Sequence, residues 1–126
     1  MIWPRTKYNL LTEELDGYIF ALVRAVALTP EVTEAIMTDV RNAVLDVRAV
    51  RLMFEYEAAH VLDDEETLGF TNELIGRMRG MRIALIARDS KHRLSLCLAE
   101  AIALDRGVEF RSFSDLTGAE QWLLDD

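Results

Sequence analysis

Apolar residues along this chain recur with two different periods, every second residue in some segments and every third or fourth in others. The first period is typical of a strand with one buried face, and the second of an amphipathic helix. Leu52, Phe54 and Tyr56 alternate with a mostly polar set, a helical period follows over 63–80, and 83–87 is apolar on both faces. This middle segment therefore predicts one βαβ unit.

The segments before this unit predict a hairpin and a helix. Asp16-Gly17 separates the strand-like segments 8–14 and 18–28, and Asp-Gly is a strong signal for a hairpin turn. Thr29-Pro30-Glu31 then supplies an N-cap hydroxyl, a proline at the first helical position and an acid in the first turn. An apolar stripe continues this helix to about residues 44–48.

The segments after the unit predict a helix, a strand and a last short helix. Ser90 can cap the first of these helices, and Gly107 lies just past its end. Its predicted buried stripe consists of Leu94, Cys97, Leu98, Ala101 and Ile102. Such a stripe would make Cys97 a buried, inert thiol. Residues 108–113 alternate as a strand, and Ser114 or Asp115 begins the last helix.

The predicted order of elements is β-β-α-β-α-β-α-β-α, which indicates an α/β fold. Alternating strands and helices favour a mixed, mostly parallel sheet with right-handed crossovers. Two strands are polar on one side, where Glu55, Glu57, Glu109 and Arg111 alternate outwards. We therefore expect the helices to lie mainly on one face, in a single domain over 1–126 with a leader at 1–7.

Charge and composition narrow the classes of function. The net charge of −8 disfavours nucleic acid and anionic membrane surfaces as partners, since both attract a positive field. No apolar run is long enough to cross a membrane. With one cysteine and no signal segment, the chain is expected to be cytoplasmic.

No motif in the sequence supports an enzyme. The chain lacks GxSxG, a P-loop and GxGxxG. His60 could be drawn into a metal site with Glu57 and Asp63, but nothing fixes a further strong ligand, so no metal site is predicted. We expect no catalytic residues and no cofactor.

The chain's ending carries a resemblance to a known family. Phe113-Ser-Asp115-Leu116-Thr-Gly-Ala119-Glu-Gln-Trp122-Leu123, together with the order of elements, resembles the STAS-type domains, which include the bacterial anti-sigma-factor antagonists. The ending is most similar to that of a small, uncharacterised bacterial subgroup. The resemblance implies a β/α superhelical sheet with helices mainly on one side.

The resemblance also implies a non-catalytic role, because the antagonists bind a partner kinase or anti-sigma factor. They are switched by phosphorylation of a Ser or Thr where the third strand's loop enters the second helix. In this sequence that position falls within 63–67, which contains no serine. Thr67 is the one hydroxyl there, and four neighbouring acids would repel a new phosphate. The family's phosphorylation switch is therefore not expected.

Two turns are the candidate sites. Asp63, Asp64, Glu65 and Glu66 form an acidic turn that could contact a partner, or simply cap a helix. Arg88, Ser90, Lys91 and Arg93 belong to a basic turn that could hold an anion at a helix N-terminus. Both turns would emerge at one edge of a parallel sheet, where they could also neutralise each other.

The first hypothesis is a non-enzymatic regulatory domain that binds a protein partner through this edge. The alternative is a protein that binds a small anionic or lipid-like molecule, which requires an apolar pocket with the basic turn at its mouth. Trp3, the one-sided sheet and the exposed edge strand of the hairpin are surfaces that a homodimer could use. The identity of the partner or ligand does not follow from the sequence.

Overall fold

A computed structural model describes residues 8–25, 29–58, 63–88 and 93–125. The leader predicted at 1–7, His60, Ser90 and Lys91 lie outside the described residues. The strands are β1 (Tyr8–Leu15), β2 (Tyr18–Ala25), β3 (Arg51–Ala58), β4 (Arg82–Ile86) and β5 (Glu109–Phe113). The helices are α1 (Pro30–Val47), α2 (Asp64–Arg77), α3 (Arg93–Asp105) and α4 (Leu116–Leu124). The predicted order of elements is confirmed.

The five strands form one sheet in the order β1-β2-β3-β4-β5. β1 and β2 are antiparallel, and Gly17 takes a positive φ of 92° in the turn that joins them. Every later pair is parallel, for example with Leu52 beside Ile19 and Ile83 beside Leu52. The sheet is therefore mixed and mostly parallel, as predicted.

Three helices cover one face of the sheet and α4 covers part of the other. Buried residues of α1, α2 and α3 share one core with the strand residues of the first face. A smaller core on the opposite face joins Ala119 and Leu123 of α4 to Met53, Ala84 and Ile86. The prediction that the helices lie mainly on one face is confirmed.

The predicted helix starts of α1, α2 and α4 are all present. The Thr29 hydroxyl accepts a hydrogen bond from the Val32 N–H at 3.2 Å, directly before Pro30. Asp63 caps α2, and Asp115 caps α4 by accepting from the Gly118 N–H at 2.8 Å. Side chains that satisfy these free N–H groups fix where each helix begins.

The buried face predicted for α3 is wrong. Leu96, Ala99 and Ala103 face the core, while Leu94, Cys97, Leu98 and Ala101 are exposed. Cys97 is therefore an exposed thiol and not a buried one. The periodicity misled because α3 carries two apolar stripes on opposite sides, and the helical period cannot say which one meets the sheet.

The outward face of β3 is less exposed than its polar pattern predicted. Met53 is buried under α4, and Glu55 is only 7% exposed. Farther along, Glu57 pairs with its cross-strand neighbour Arg24, Nε to Oε2, at 2.7 Å. Charged residues therefore cover the part of this face that α4 leaves open.

Candidate functional site at the carboxyl edge of the sheet

The carboxyl ends of β2, β3, β4 and β5 lie at one edge of the sheet because these strands are parallel. The N-termini of the four helices follow these ends in the chain. The acidic turn after β3 and the basic turn after β4 therefore belong to this edge, where ligands commonly bind α/β sheets.

Two acids of the acidic turn form a capping box at the start of α2. Asp63 Oδ1 accepts from the Glu66 N–H at 2.7 Å, and Glu66 Oε1 accepts from the Asp63 N–H at 3.1 Å. The side chain of Asp64 lies outside the described part of the chain. The turn therefore has a structural role, as the alternative interpretation of this motif expected.

Glu65 and Glu66 also face a cavity of about 410 Å³ between the first turns of α1 and one side of α2. We call this cavity the acidic groove. Its lining includes Glu34 of α1 together with Glu65, Glu66, Gly69, Phe70 and Glu73 of α2. A side chain at Gly69 would meet no other atom within 4 Å, so this wall of the groove is open. Four carboxylates thus surround one concave surface.

Arg77 is the cation among the described residues that line the acidic groove, and carboxylates already engage it. Its Nη1 donates to Glu34 Oε1 at 2.9 Å, its Nη2 donates to Glu34 Oε2, and its Nε donates to Glu73 Oε2 at 3.3 Å. The hydrogen bonds from Arg77 lower the pKa of Glu34 below its usual range. The described lining holds four carboxylates and one guanidinium, so its net charge is negative.

Aromatic rings support the groove from the protein side. Phe70 lines the groove while remaining buried, and its ring lies 5.3 Å from that of Tyr56 and 5.6 Å from that of Phe54. Burial, and then the charge of Glu66, raise the pKa of Tyr56 to about 12. The buried Tyr56 hydroxyl has no hydrogen-bond partner among the described residues. The groove therefore combines an acidic rim with a firm apolar base.

Thr67, the one hydroxyl in the segment 63–67 where the resemblance placed a phosphorylation site, is buried. Its residue is 9% exposed, and its Oγ1 has no hydrogen-bond partner in the described residues. The Thr67 carbonyl accepts from the Thr71 hydroxyl at 2.7 Å within α2. A kinase could reach Thr67 only after α2 opened locally.

Arg88, the described basic side chain of the basic turn, is bonded to Glu55. Its Nε donates to Glu55 Oε2 at 2.8 Å and its Nη2 to Glu55 Oε1 at 3.4 Å. The Glu55 contact, and then the charges of Glu57 and Asp115, raise the pKa of Arg88. An anion bound at Arg88 would therefore have to displace a carboxylate.

Ser90 and Lys91 are outside the described residues, and Arg93 is the first residue of α3. The anion-binding role predicted for Arg88, Ser90, Lys91 and Arg93 stays a prediction. The two turns were expected to neutralise each other, but Arg88 pairs instead with Glu55, which lies within β3.

A second cavity, of about 270 Å³, lies between α4 and the β1–β2 hairpin. Its base is formed by Leu15, Phe20 and Met53, and its polar lining includes Glu13 and Glu120. Tyr18 donates to Glu120 Oε2 at 2.6 Å, and burial together with this bond raises the pKa of Tyr18 to about 12. Both cavities carry acidic groups, and the described lining of neither offers the basic mouth that an anionic ligand requires.

The described residues contain no cluster of three or more His, Cys, Asp or Glu side chains placed to hold a metal ion. Among the described helices, none has the length and apolar character needed to cross a membrane.

The sequence indicated part of this site and missed the rest. Glu65 and Glu66 were predicted, whereas Glu34, Glu73 and Phe70 were not. Glu66 and Glu73 are seven residues apart, which places them on one side of α2 and was a usable signal. Glu34 could not be found in this way, because its place depends on how α1 packs beside α2.

Of the comparisons with known proteins, the one with solved structures shows the fold. No family model matches the chain, and no curated protein matches it. Among solved structures, it is similar to an uncharacterised protein of the DUF3478 family with a SpoIIAA-like fold from Shewanella loihica. The match has a TM-score of 0.56, with 17% sequence identity over 98% of each chain. At that identity the likeness shows a SpoIIAA-like, STAS-type fold, which confirms the predicted fold class.

Proposed function

We propose that this chain is a non-enzymatic regulatory domain that binds a protein partner bearing basic side chains in the acidic groove. The observation that carries the proposal is the placement of Glu34, Glu65, Glu66 and Glu73 around one open cavity, in whose described lining the cation Arg77 is already paired. The STAS-type fold supports a regulatory role by analogy with the antagonists described above.

Charge complementarity is the physical reason for the choice of partner. A lysine or arginine of the partner would replace water beside carboxylates that carry excess negative charge. Phe70 at the base of the groove offers apolar area for the stem of such a side chain. An anionic partner or ligand would be repelled by the same groups.

The contacts that Glu34 and Glu66 make favour a binding role over a catalytic one. Glu34 is held ionised by its bonds to Arg77, and a carboxylate with a lowered pKa is a weak general base near neutral pH. Glu66 accepts from the Asp63 N–H as part of a helix cap. These contacts suit Glu34 to recognition as a fixed charge and give Glu66 a structural place at the start of α2.

The burial of Thr67 supports a partner-binding surface that is always available, and not one that phosphorylation of Thr67 switches on or off. The carboxylates beside Thr67 supply part of the charge that a phosphate would add. We therefore expect partner binding without any phosphorylation at the start of α2.

The test is affinity capture from a lysate of the source organism with two charge variants. In the groove variant, Glu65→Gln and Glu73→Gln remove two carboxylates without touching the Asp63–Glu66 cap. In the control variant, Glu14→Gln and Asp46→Asn remove two exposed carboxylates far from the groove. Both variants change the net charge equally, so a difference between them reports position and not total charge.

We expect wild type and the control variant to retain the same protein and the groove variant to lose it. The weakening should be about tenfold, or roughly 1–2 kcal/mol, for two exposed charge contacts. Equal retention by both variants would contradict a partner in the groove. Circular dichroism melting curves that coincide for the two variants would exclude a folding difference as the cause.

A further inference from the structure

The acidic groove already holds one cation, and that cation belongs to the chain itself. Arg77 donates from Nη1 to Glu34 Oε1 at 2.9 Å and from Nη2 to Glu34 Oε2, so two nitrogens of the guanidinium bond to both oxygens of one carboxylate. Its Nε donates to Glu73 Oε2 at 3.3 Å. The planar fork of a guanidinium suits such paired bonds, and the ammonium of a lysine cannot reproduce them. These contacts therefore indicate which cation the carboxylates of the groove fit.

The contact between Arg77 and its two carboxylates lies at the surface. The side chain of Arg77 is 31% exposed, and those of Glu34 and Glu73 are 60% and 51% exposed. The core that α1 and α2 share with the sheet consists of buried apolar residues and does not include this ion pair. Ion pairs this exposed add little to stability, because water solvates the separated charges almost as well. An external cation could therefore replace Arg77 without unfolding either helix.

The surface of α2 has space for a second guanidinium beside Arg77. Four lining residues follow one another at intervals of four and so share one row along the helix: Glu65, Gly69, Glu73 and Arg77. In the described part of the chain, a Cβ at Gly69 would meet nothing within 4 Å beyond its own stretch of helix. Carboxylates flank this open position one turn away on either side, about 6 Å along the axis. An incoming side chain over Gly69 can therefore reach both Glu65 and Glu73.

We propose that Arg77 is an internal occupant of the acidic groove, and that the partner binds by placing an arginine guanidinium on Glu34 and Glu73 in its place. The inference rests on the proposed function, because it names the side chain that the partner brings and the contact that regulates its entry. Arg77 is thus an autoinhibitory contact, which a cation displaces only when it makes further contacts of its own. An arginine that also reaches Glu65 and packs its stem on Phe70 meets that requirement.

The position of Arg77 in α2 reduces the cost of the exchange. Arg77 is the last residue of the helix, where the helix dipole favours a positive charge. A basic side chain there can also donate to the last carbonyls of the helix. The displaced guanidinium therefore keeps a favourable place when it leaves Glu34.

The test measures the binding of two blocked homopeptides of equal length, one of arginine and one of lysine, by isothermal titration at low salt. Arg77→Lys keeps the net charge of the protein but removes the guanidinium fork, so it should bind the arginine peptide about threefold to tenfold more tightly than wild type. Arg77→Gln should bind it more tightly than Arg79→Gln, which removes the same charge from an exposed residue just past the end of α2. The lysine peptide should gain less, because it cannot take over the paired bonds to Glu34.

Displacement itself is measured by the NMR signal of the Arg77 Nε–H, which is assigned by its absence from the spectrum of Arg77→Lys. When the arginine peptide saturates wild type, this signal should move toward the position of an exposed arginine such as Arg79. Melting curves of Arg77→Lys and wild type should coincide, because the ion pair is exposed.

Three results would overturn the inference. The first is equal tightening in Arg77→Gln and Arg79→Gln without a gain in Arg77→Lys, which would reduce the role of Arg77 to net charge. The second is an Arg77 signal that stays in place while the arginine peptide binds. The third is weaker binding by Arg77→Lys, because Arg77 would then hold Glu34 ready for the partner.

The groove variant and the control variant separate a failure of this inference from a failure of the proposed function. If Glu65→Gln/Glu73→Gln binds the arginine peptide more weakly than Glu14→Gln/Asp46→Asn, the proposed function stands whatever the Arg77 variants show. Equal binding by these two proteins would mean that basic side chains do not enter the groove, and would contradict both proposals.

Discussion

α2 and α3 are neighbours on the same face of the sheet, yet they present opposite kinds of surface. Both bury an apolar stripe in the same core, with Leu74 and Ile75 in α2 and Leu96 and Ala99 in α3. The outward side of α2 carries carboxylates, whereas the outward side of α3 carries exposed leucines. The inner faces hold the fold together, and the outer faces distinguish what each helix can bind.

The difference also separates two kinds of association. Exposed charges such as those of the acidic groove influence association rate and specificity, and salt weakens their effect. Exposed apolar side chains gain free energy from the area they bury, and salt does not screen that gain. We therefore expect the partner bound at α2 to dissociate more readily as salt rises.

The largest predicted difference is in the free energy of unfolding, between a Leu→Ala substitution in α2 and the same substitution in α3. Leu74→Ala in α2 should lower the free energy of unfolding by about 2–5 kcal/mol, because Leu74 is fully buried and its truncation leaves a cavity. Leu94→Ala in α3 should change it by less than about 0.5 kcal/mol in the monomer. Urea denaturation at low protein concentration measures both, and similar losses would mean that the outer face of α3 is buried.

A smaller change in stability is predicted for substitutions at the helix termini. Asp63→Ala should cost about 1 kcal/mol of stability, because it removes the side-chain acceptor that caps α2. Asp105→Ala should have no cost, or should stabilise by a few tenths of a kcal/mol, because an acid at the end of α3 opposes the helix dipole. Thermal melts of both variants test this, and a cost at Asp105 equal to that at Asp63 would contradict it.

A small effect on stability at neutral pH is predicted for Tyr56, behind the acidic groove. Its hydroxyl has no partner within the described residues, so Tyr56→Phe should change stability by less than about 1 kcal/mol at pH 7. The effect should appear at high pH. The pKa of Tyr56 is about 12 in the fold against an ordinary value of 10.0, so the unfolded chain ionises first.

Stability from Tyr56 is therefore fully present below pH 10 and is lost as pH rises through about 12. Tyr8 and Tyr18, with pKa values also raised to about 12, should contribute in the same window. Denaturation between pH 9 and 12, a range that brackets these values, should show a smaller loss for Tyr56→Phe than for wild type. An identical loss of stability in wild type and Tyr56→Phe would show that Tyr56 ionises equally easily in the folded and the unfolded chain.

The sequence was sufficient for the fold because its local signals agree with one another. Asp16-Gly17 marks the hairpin, Thr29-Pro30 starts α1, and Asp63 with Glu66 starts α2, each through backbone chemistry that needs no knowledge of tertiary packing. The strand periods then fix which faces meet the helices. The order of elements could therefore be predicted from sequence.

Periodicity was insufficient where a helix carried two apolar stripes, or where the burial or contacts of a residue depended on a partner far away in the sequence. In α3, the stripe containing Leu94 and Leu98 is as regular as the one containing Leu96 and Ala99, and only packing distinguishes them. The alternation in β3 predicted an exposed Glu55, but Glu55 is buried and pairs with Arg88, 33 residues later in the sequence. Glu34 joins the acidic groove through the contact between α1 and α2, which no local pattern encodes.

The most direct test of the central claim is an isothermal titration of the captured partner, once purified, into wild type, the Glu65→Gln/Glu73→Gln variant and the Glu14→Gln/Asp46→Asn control. The acidic groove predicts binding about tenfold weaker for the first variant, unchanged binding for the control, and a difference that shrinks as salt rises. Equal affinities for all three proteins, or a difference that salt leaves unchanged, would contradict recognition of a basic partner in the groove.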